Sequence, residues 1–141
     1  MTTGQRDHRA DSAVTRALLV FLGGSLGTAI RLMLGTIVMG PGASILATVA
    51  VDVTGAALLG ILYGLTPPGD ARSARRRLLL GTGLLGGYTT YGTLVVDADG
   101  LVLAHDPWAG ALVASATLAL GVAAAFVGER AATRARERAR A

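Results

Sequence analysis

The sequence predicts an all-α membrane protein with four transmembrane helices, the third of them broken, and three observations lead there. Hydrophobic residues make up 52% of the 141-residue chain and the mean hydropathy is +0.55, above the soluble norm. Charged residues are only 16%. The apolar residues gather into four stretches, 17–39, 43–65, 78–96 and 108–127, each close to the roughly 20 residues that cross a bilayer. A soluble bundle would need a polar face on every helix, and none of the four stretches has one.

In chain order, residues 1–13 are polar and predict a disordered lead, 14–128 form the transmembrane domain, and 129–141 form a helix-prone basic tail. The first stretch is read as a span. It runs too long for a signal peptide and lacks a small-residue cleavage site. Gly40 to Ala43 make a short turn to the second stretch, and Pro67 with Pro68 ends that one. The third stretch follows the arginine-rich segment 72–77, and residues 97–107 form the loop to the fourth. There is no cysteine, so disulfides and thiolate metal sites are excluded.

All thirteen basic residues are arginines, and twelve fall on one side of the predicted membrane. Arg6, Arg9 and Arg16 precede span 1. Arg72, Arg75, Arg76 and Arg77 separate spans 2 and 3. Arg130, Arg134, Arg136, Arg138 and Arg140 follow span 4. The positive-inside rule then puts both termini and the middle loop in the cytoplasm of a plasma-membrane protein. The formal charge of +4 does not point to nucleic acid, since no basic face interleaved with aromatics exists.

Two ionisable residues sit inside apolar stretches. Arg31 and Asp52 lie equally far from the junction of Pro41 and Gly42. A tight antiparallel hairpin therefore brings them to similar depth, where an unpaired charge is costly. Two arrangements meet that cost. They pair or share water, or Arg31 reaches outward while Asp52 is protonated or faces a cavity.

The third stretch carries Gly81, Gly83, Gly86, Gly87 and Gly92. A helical glycine costs about 1 kcal/mol relative to alanine. Close helix packing explains most glycines in lipid. Around Gly86 and Gly87, however, threonines and tyrosines coincide with them, which favours a break over an intact packed helix. Backbone groups freed at that depth must meet protein, water or an ion, as in the discontinuous helices of transporters.

Together these motifs resemble the Fluc/CrcB family of fluoride channels over roughly residues 17–128. The family's GGxxGAxxR is matched by Gly23, Gly24, Gly27 and Arg31, with Thr28 in place of Ala. Its NxxGxxxxG is matched by Gly55 and Gly60, with Asp52 at the Asn position. Its GGxTTFSTF is matched by Gly86, Gly87, Thr89, Thr90 and Thr93. The resemblance implies an antiparallel, dual-topology-type dimer with two narrow pores. It implies a structural Na+ at the dimer interface, held by the backbone carbonyls of Gly86 and Thr89. The anion path it implies maps to Asp52, Tyr91, Thr93, Leu94 and Thr117, with Arg31 in a structural, vestibule role.

The departures carry information. Tyr91 and Leu94 stand at two Phe positions, and leucine has no ring edge of partial positive charge to offer an anion. Gly92 removes a serine hydroxyl, and an ionised Asp52 repels anions. A homodimer inserting both ways needs balanced arginines. The one-sided count favours a heterodimer with an inverted homologue, a homodimer being the alternative. No catalytic constellation argues for an enzyme, since His8 and His105 lack partner groups. Competing readings are a proton-coupled multidrug or cation exporter using Asp52, and a non-conducting assembly subunit.

Overall fold

The computed structural model describes residues 3–37, 45–69, 71–89, 91–103 and 105–140. Among these the chain is almost entirely helical and has no strand, and with its long apolar helices it is an all-α membrane protein, as the composition predicts. Helix α1 is Thr3–Ile37, α2 is Ile45–Leu65 and α3 is Ala71–Arg76. A nine-residue π-helix, Arg77–Leu85, continues α3, and α4 (Gly86–Tyr88) continues the π-helix. Helix α5 is Tyr91–Leu103 and α6 is Pro107–Arg138. Residues 38–44, where the sequence predicts a short turn, and residues 1–2 lie outside the described residues. Helical geometry reaches back to Thr3 and onward through the basic tail.

Three helices among the described residues are long and apolar enough to cross a membrane unaided: Ala13–Gly35 within α1, α2, and α6. The third apolar stretch of the sequence is divided instead. Its helix stops at Tyr88, and Thr89 is extended, at φ −81° and ψ 151°. Helix α5 then absorbs residues 97–103, which the sequence assigns to a loop. Asp106 starts α6 by accepting a hydrogen bond from the Ala109 N–H at 3.0 Å, with Pro107 in the first turn.

Two helix pairs build the molecule. α1 lies along the π-helix and α4, and α2 lies along α6. Helix α5 leaves α1 and packs on α6. Thr89 is therefore where the chain crosses from one pair to the other.

Glycines set how closely each pair approaches. A Cβ on Gly23 would meet the Leu79 carbonyl oxygen, and one on Gly27 would meet that of Leu84. A Cβ on Gly60 would strike the Ala125 carbonyl, and one on Gly128 would lie 2.5 Å from that of Ala57. Lipid is as apolar as leucine, so backbone-to-backbone packing of this kind replaces the hydrophobic drive of water. Large apolar side chains such as Phe21, Leu46, Trp108 and Leu112 accordingly point outward.

Arg77 joins the end of α2 to the start of the π-helix. Its Nε donates to Thr66 Oγ1 at 3.1 Å, and its Nη2 donates to the carbonyls of Thr66 and Tyr63, the latter at 3.4 Å. The guanidinium also lies 4.4 Å from the Tyr63 ring centroid. The last carbonyls of a helix have no internal donor, and a cation there also meets the negative end of the helix dipole. Arg77→Gln is expected to lose about 1–3 kcal/mol of stability, seen as earlier thermal loss of helical circular dichroism in detergent. Arg76→Gln, at an exposed position, is expected to stay within about 0.5 kcal/mol. Equal losses in the two variants would remove the clamp.

Candidate functional site

The site grows out of the change of course at Thr89. Up to Leu85 the chain is a π-helix, a form found mostly as single turns and often at functional places. The first residues after it are Gly86, Gly87 and Tyr88. The Thr89 N–H and Oγ1 both donate back to the Leu85 carbonyl, each at 3.0 Å. Its own carbonyl, at ψ 151°, no longer points along the helix axis. Thr28 of α1 donates from Oγ1 to the Gly87 carbonyl at 3.4 Å. The methyl group of Thr89 occupies the space over Gly55, where a Cβ would collide with it.

Two clefts meet here. One, of about 440 Å³, lies between α2 and the π-helix, and its walls include Asp52, Gly55, Leu59, Tyr63, Thr82, Gly86 and Thr89. The other, of about 340 Å³, lies toward α6, and its walls include Asp52, Ala56, Thr89, Leu94, Thr117 and Gly121. Asp52 and Thr89 line both. Four residues picked from the sequence, Asp52, Thr89, Leu94 and Thr117, thus share one cleft, and Gly86 lines its neighbour. Arg31 lines neither, and its Nε is buried without a hydrogen-bond partner. Tyr91 and Thr93 fall in the first turn of α5, with side chains outside the described ones.

Of the threonines that line the clefts, Thr89 and Thr117 give their hydroxyl protons to carbonyls of their own segments, and nearby Thr54 does the same. Thr117 is 4% exposed and donates to the Val113 carbonyl at 2.7 Å. Thr54 donates to the Ala50 carbonyl at 2.7 Å and stands 3.4 Å from the Tyr88 hydroxyl. A threonine hydroxyl has one proton to give, so none of these points a donor into the clefts in this arrangement. Leu94, at 8% exposed, is one of the most buried apolar residues.

Sequence reasoning missed Tyr88, Thr54, Thr82 and Tyr63. Tyr88 fills the unspecified place of GGxTT, so the motif is silent about it. Thr82 and Tyr63 line the same cleft as Asp52, a grouping that no sequence motif marks.

These features define a small multi-pass helical membrane protein with a polar site where its third apolar segment changes course. The model of the CrcB-like protein, camphor resistance (CrcB) family matches residues 18–129. The chain belongs to that family. It is 43% identical over 114 residues to the fluoride-specific ion channel FluC 2 of Leifsonia xyli subsp. xyli, covering 79% of each chain. It is 38% identical over 117 residues to a fluoride-specific ion channel FluC of Thermus thermophilus, covering 82% of this chain and 93% of that one. Against the fluoride-specific ion channel FluC of Rhizobium etli it is 37% identical over 116 residues, covering 80% and 92%.

Proposed function

We propose that this chain is a subunit of a fluoride-specific ion channel that lowers cytoplasmic fluoride by passive efflux across the plasma membrane. The observation that carries the reading is the convergence of Asp52, Thr89, Leu94 and Thr117 on one cleft, in a chain whose relatives are named for that ion. The one-sided arginines support an orientation with both termini and the α3 segment cytoplasmic.

The working unit in this reading is an antiparallel dimer, with Asp52, Tyr91, Thr93, Leu94 and Thr117 on the anion path and Arg31 at the vestibule. The Gly86 and Thr89 carbonyls would hold a structural Na+. Neutral carbonyl oxygens are hard donors suited to such a cation, and the extended Thr89 turns one of them out of the helix. Two carbonyls leave the coordination shell incomplete, which a second subunit in the dimer completes. Twelve arginines on one side against none on the other disfavour insertion in both directions. The second subunit is therefore an inverted homologue in this reading.

The test is fluoride efflux from proteoliposomes, followed with a fluoride electrode. The chain reconstituted with an oppositely oriented homologue is expected to release fluoride and retain chloride. Fast efflux from the chain alone would argue for a homodimer. Efflux that never appears in either preparation, or that requires a proton gradient, would overturn the channel reading.

A further inference from the structure

We infer that the outer flank of α6 is a docking site for an anionic phospholipid, its phosphate held by Arg130 and Arg134 and an acyl chain lying along the helix beneath them. Arg130, Arg134 and Arg138 recur every fourth residue and are exposed, so they share one face of α6. Helix α6 runs without interruption from the apolar span into this tail. At 1.5 Å per residue, the backbones of Arg130 and Arg134 stand about 4.5 and 10.5 Å beyond Val127 along the axis. The headgroup layer of one leaflet is about 5–7 Å thick. The two residues therefore bracket the level of a lipid phosphate on the helix.

The surface between them is shaped for a headgroup above and a chain below. A shallow cleft of about 310 Å³ is lined by Phe126, Glu129, Arg130, Thr133 and Arg134. The Arg130 guanidinium lies over the Phe126 ring, 4.1 Å from its centroid. Phe126 is also the upper wall of a longer apolar groove of about 630 Å³ that continues down α6 past Val122 and Leu118, two residues that also edge the cleft toward Asp52. A soluble anion would use only the upper cleft, whereas a lipid uses both. Glu129 brings the opposite charge to the rim. The tail as a whole nonetheless carries five arginines against Glu129 and Glu137, a balance that favours an anionic headgroup. Guanidinium geometry suits the phosphodiester oxygens, which it can engage bidentately.

The experiment uses the full-length chain in detergent and counts retained lipids by native mass spectrometry. Dioleoylphosphatidylglycerol is compared with dioleoylphosphatidylcholine, which has the same chains and no net charge. Two arginines near an anionic group correspond to a preference of about thirtyfold for the anionic lipid. The double variant Arg130→Gln/Arg134→Gln is expected to erase the preference while keeping the wild-type helical circular dichroism. Glycerol phosphate, the headgroup chemistry without chains, is expected not to displace the lipid from the wild-type protein. Equal retention of the two lipids, a preference that survives the double variant, or displacement by glycerol phosphate would each overturn the proposal. The two wild-type measurements decide it even where the variant fails to fold. None of these readouts depends on ion conduction.

Discussion

Gly60→Ala is expected to destabilise the α2–α6 pair by about 1–3 kcal/mol or more, the cost of forcing an extra methyl into a packed contact. The obstruction is backbone, the carbonyl of Ala125, so no side chain can rotate away. The helices must separate, and lipid offers no hydrophobic penalty to pull them back. Gly35→Ala is the matched control, because nothing lies within 4 Å of the position its Cβ would take. There the gain in helix propensity, up to about 1 kcal/mol, is expected to leave stability unchanged or raised. Both are read by denaturant titration of helical circular dichroism in micelles. Gly128→Ala loads the same seam from the α6 side, where Ala57 and Ile61 would meet it. Adding it to Gly60→Ala is expected to cost less than the two single losses together, since the helices are already apart. Equal effects at Gly60 and Gly35 would show that the close approach does not hold the pair.

That contrast also shows what a sequence can carry. Gly23, Gly27, Gly55 and Gly60 are legible as packing residues because small side chains at helical spacing have one dominant use in lipid. The crowding at Gly86 and Gly87 is legible as an unusual place for the same reason turned round, since packing alone does not ask for threonines and tyrosines beside them. The nine-residue π-helix is not legible. Its Gly83 lies against α1 and its Gly81 against α2, tertiary contacts with no local signature. Helix through residues 97–103 was hidden for a different reason: Asp97, Asp99 and Gly100 are turn formers in isolation, and packing of α5 on α6 overrides them. The equal spacing of Arg31 and Asp52 about one turn placed them at similar depth by arithmetic, but depth does not fix which way a side chain faces. Asp52 lines both clefts, and Arg31 lines neither.

Asp52→Asn is expected to raise fluoride efflux in the reconstituted channel by about ten- to a hundredfold, the largest functional effect of any single change in the site. The carboxylate lines both clefts beside Thr89. A separation of about 8 Å between an ionised carboxylate there and an anion in either cleft sets the scale. At an effective dielectric near 20, two unit charges at that separation repel by about 2 kcal/mol. That raises the barrier to entry by about thirtyfold. Asparagine keeps the shape, removes the charge and adds an amide donor. The donor matters because the protons of Thr89, Thr54 and Thr117 are already given to the carbonyls of Leu85, Ala50 and Val113. Initial efflux rates at matched protein density decide the matter, with unfolding midpoints checked so that a stability change is not mistaken for conduction. If the carboxylate instead drives proton-coupled export, the same substitution abolishes transport, and the pH gradient ceases to matter. A rate that falls to background in Asp52→Asn at unchanged stability would therefore reject the channel reading and favour the exporter. A chain that only scaffolds an inverted homologue would leave the rate untouched, because its own clefts would carry no ion.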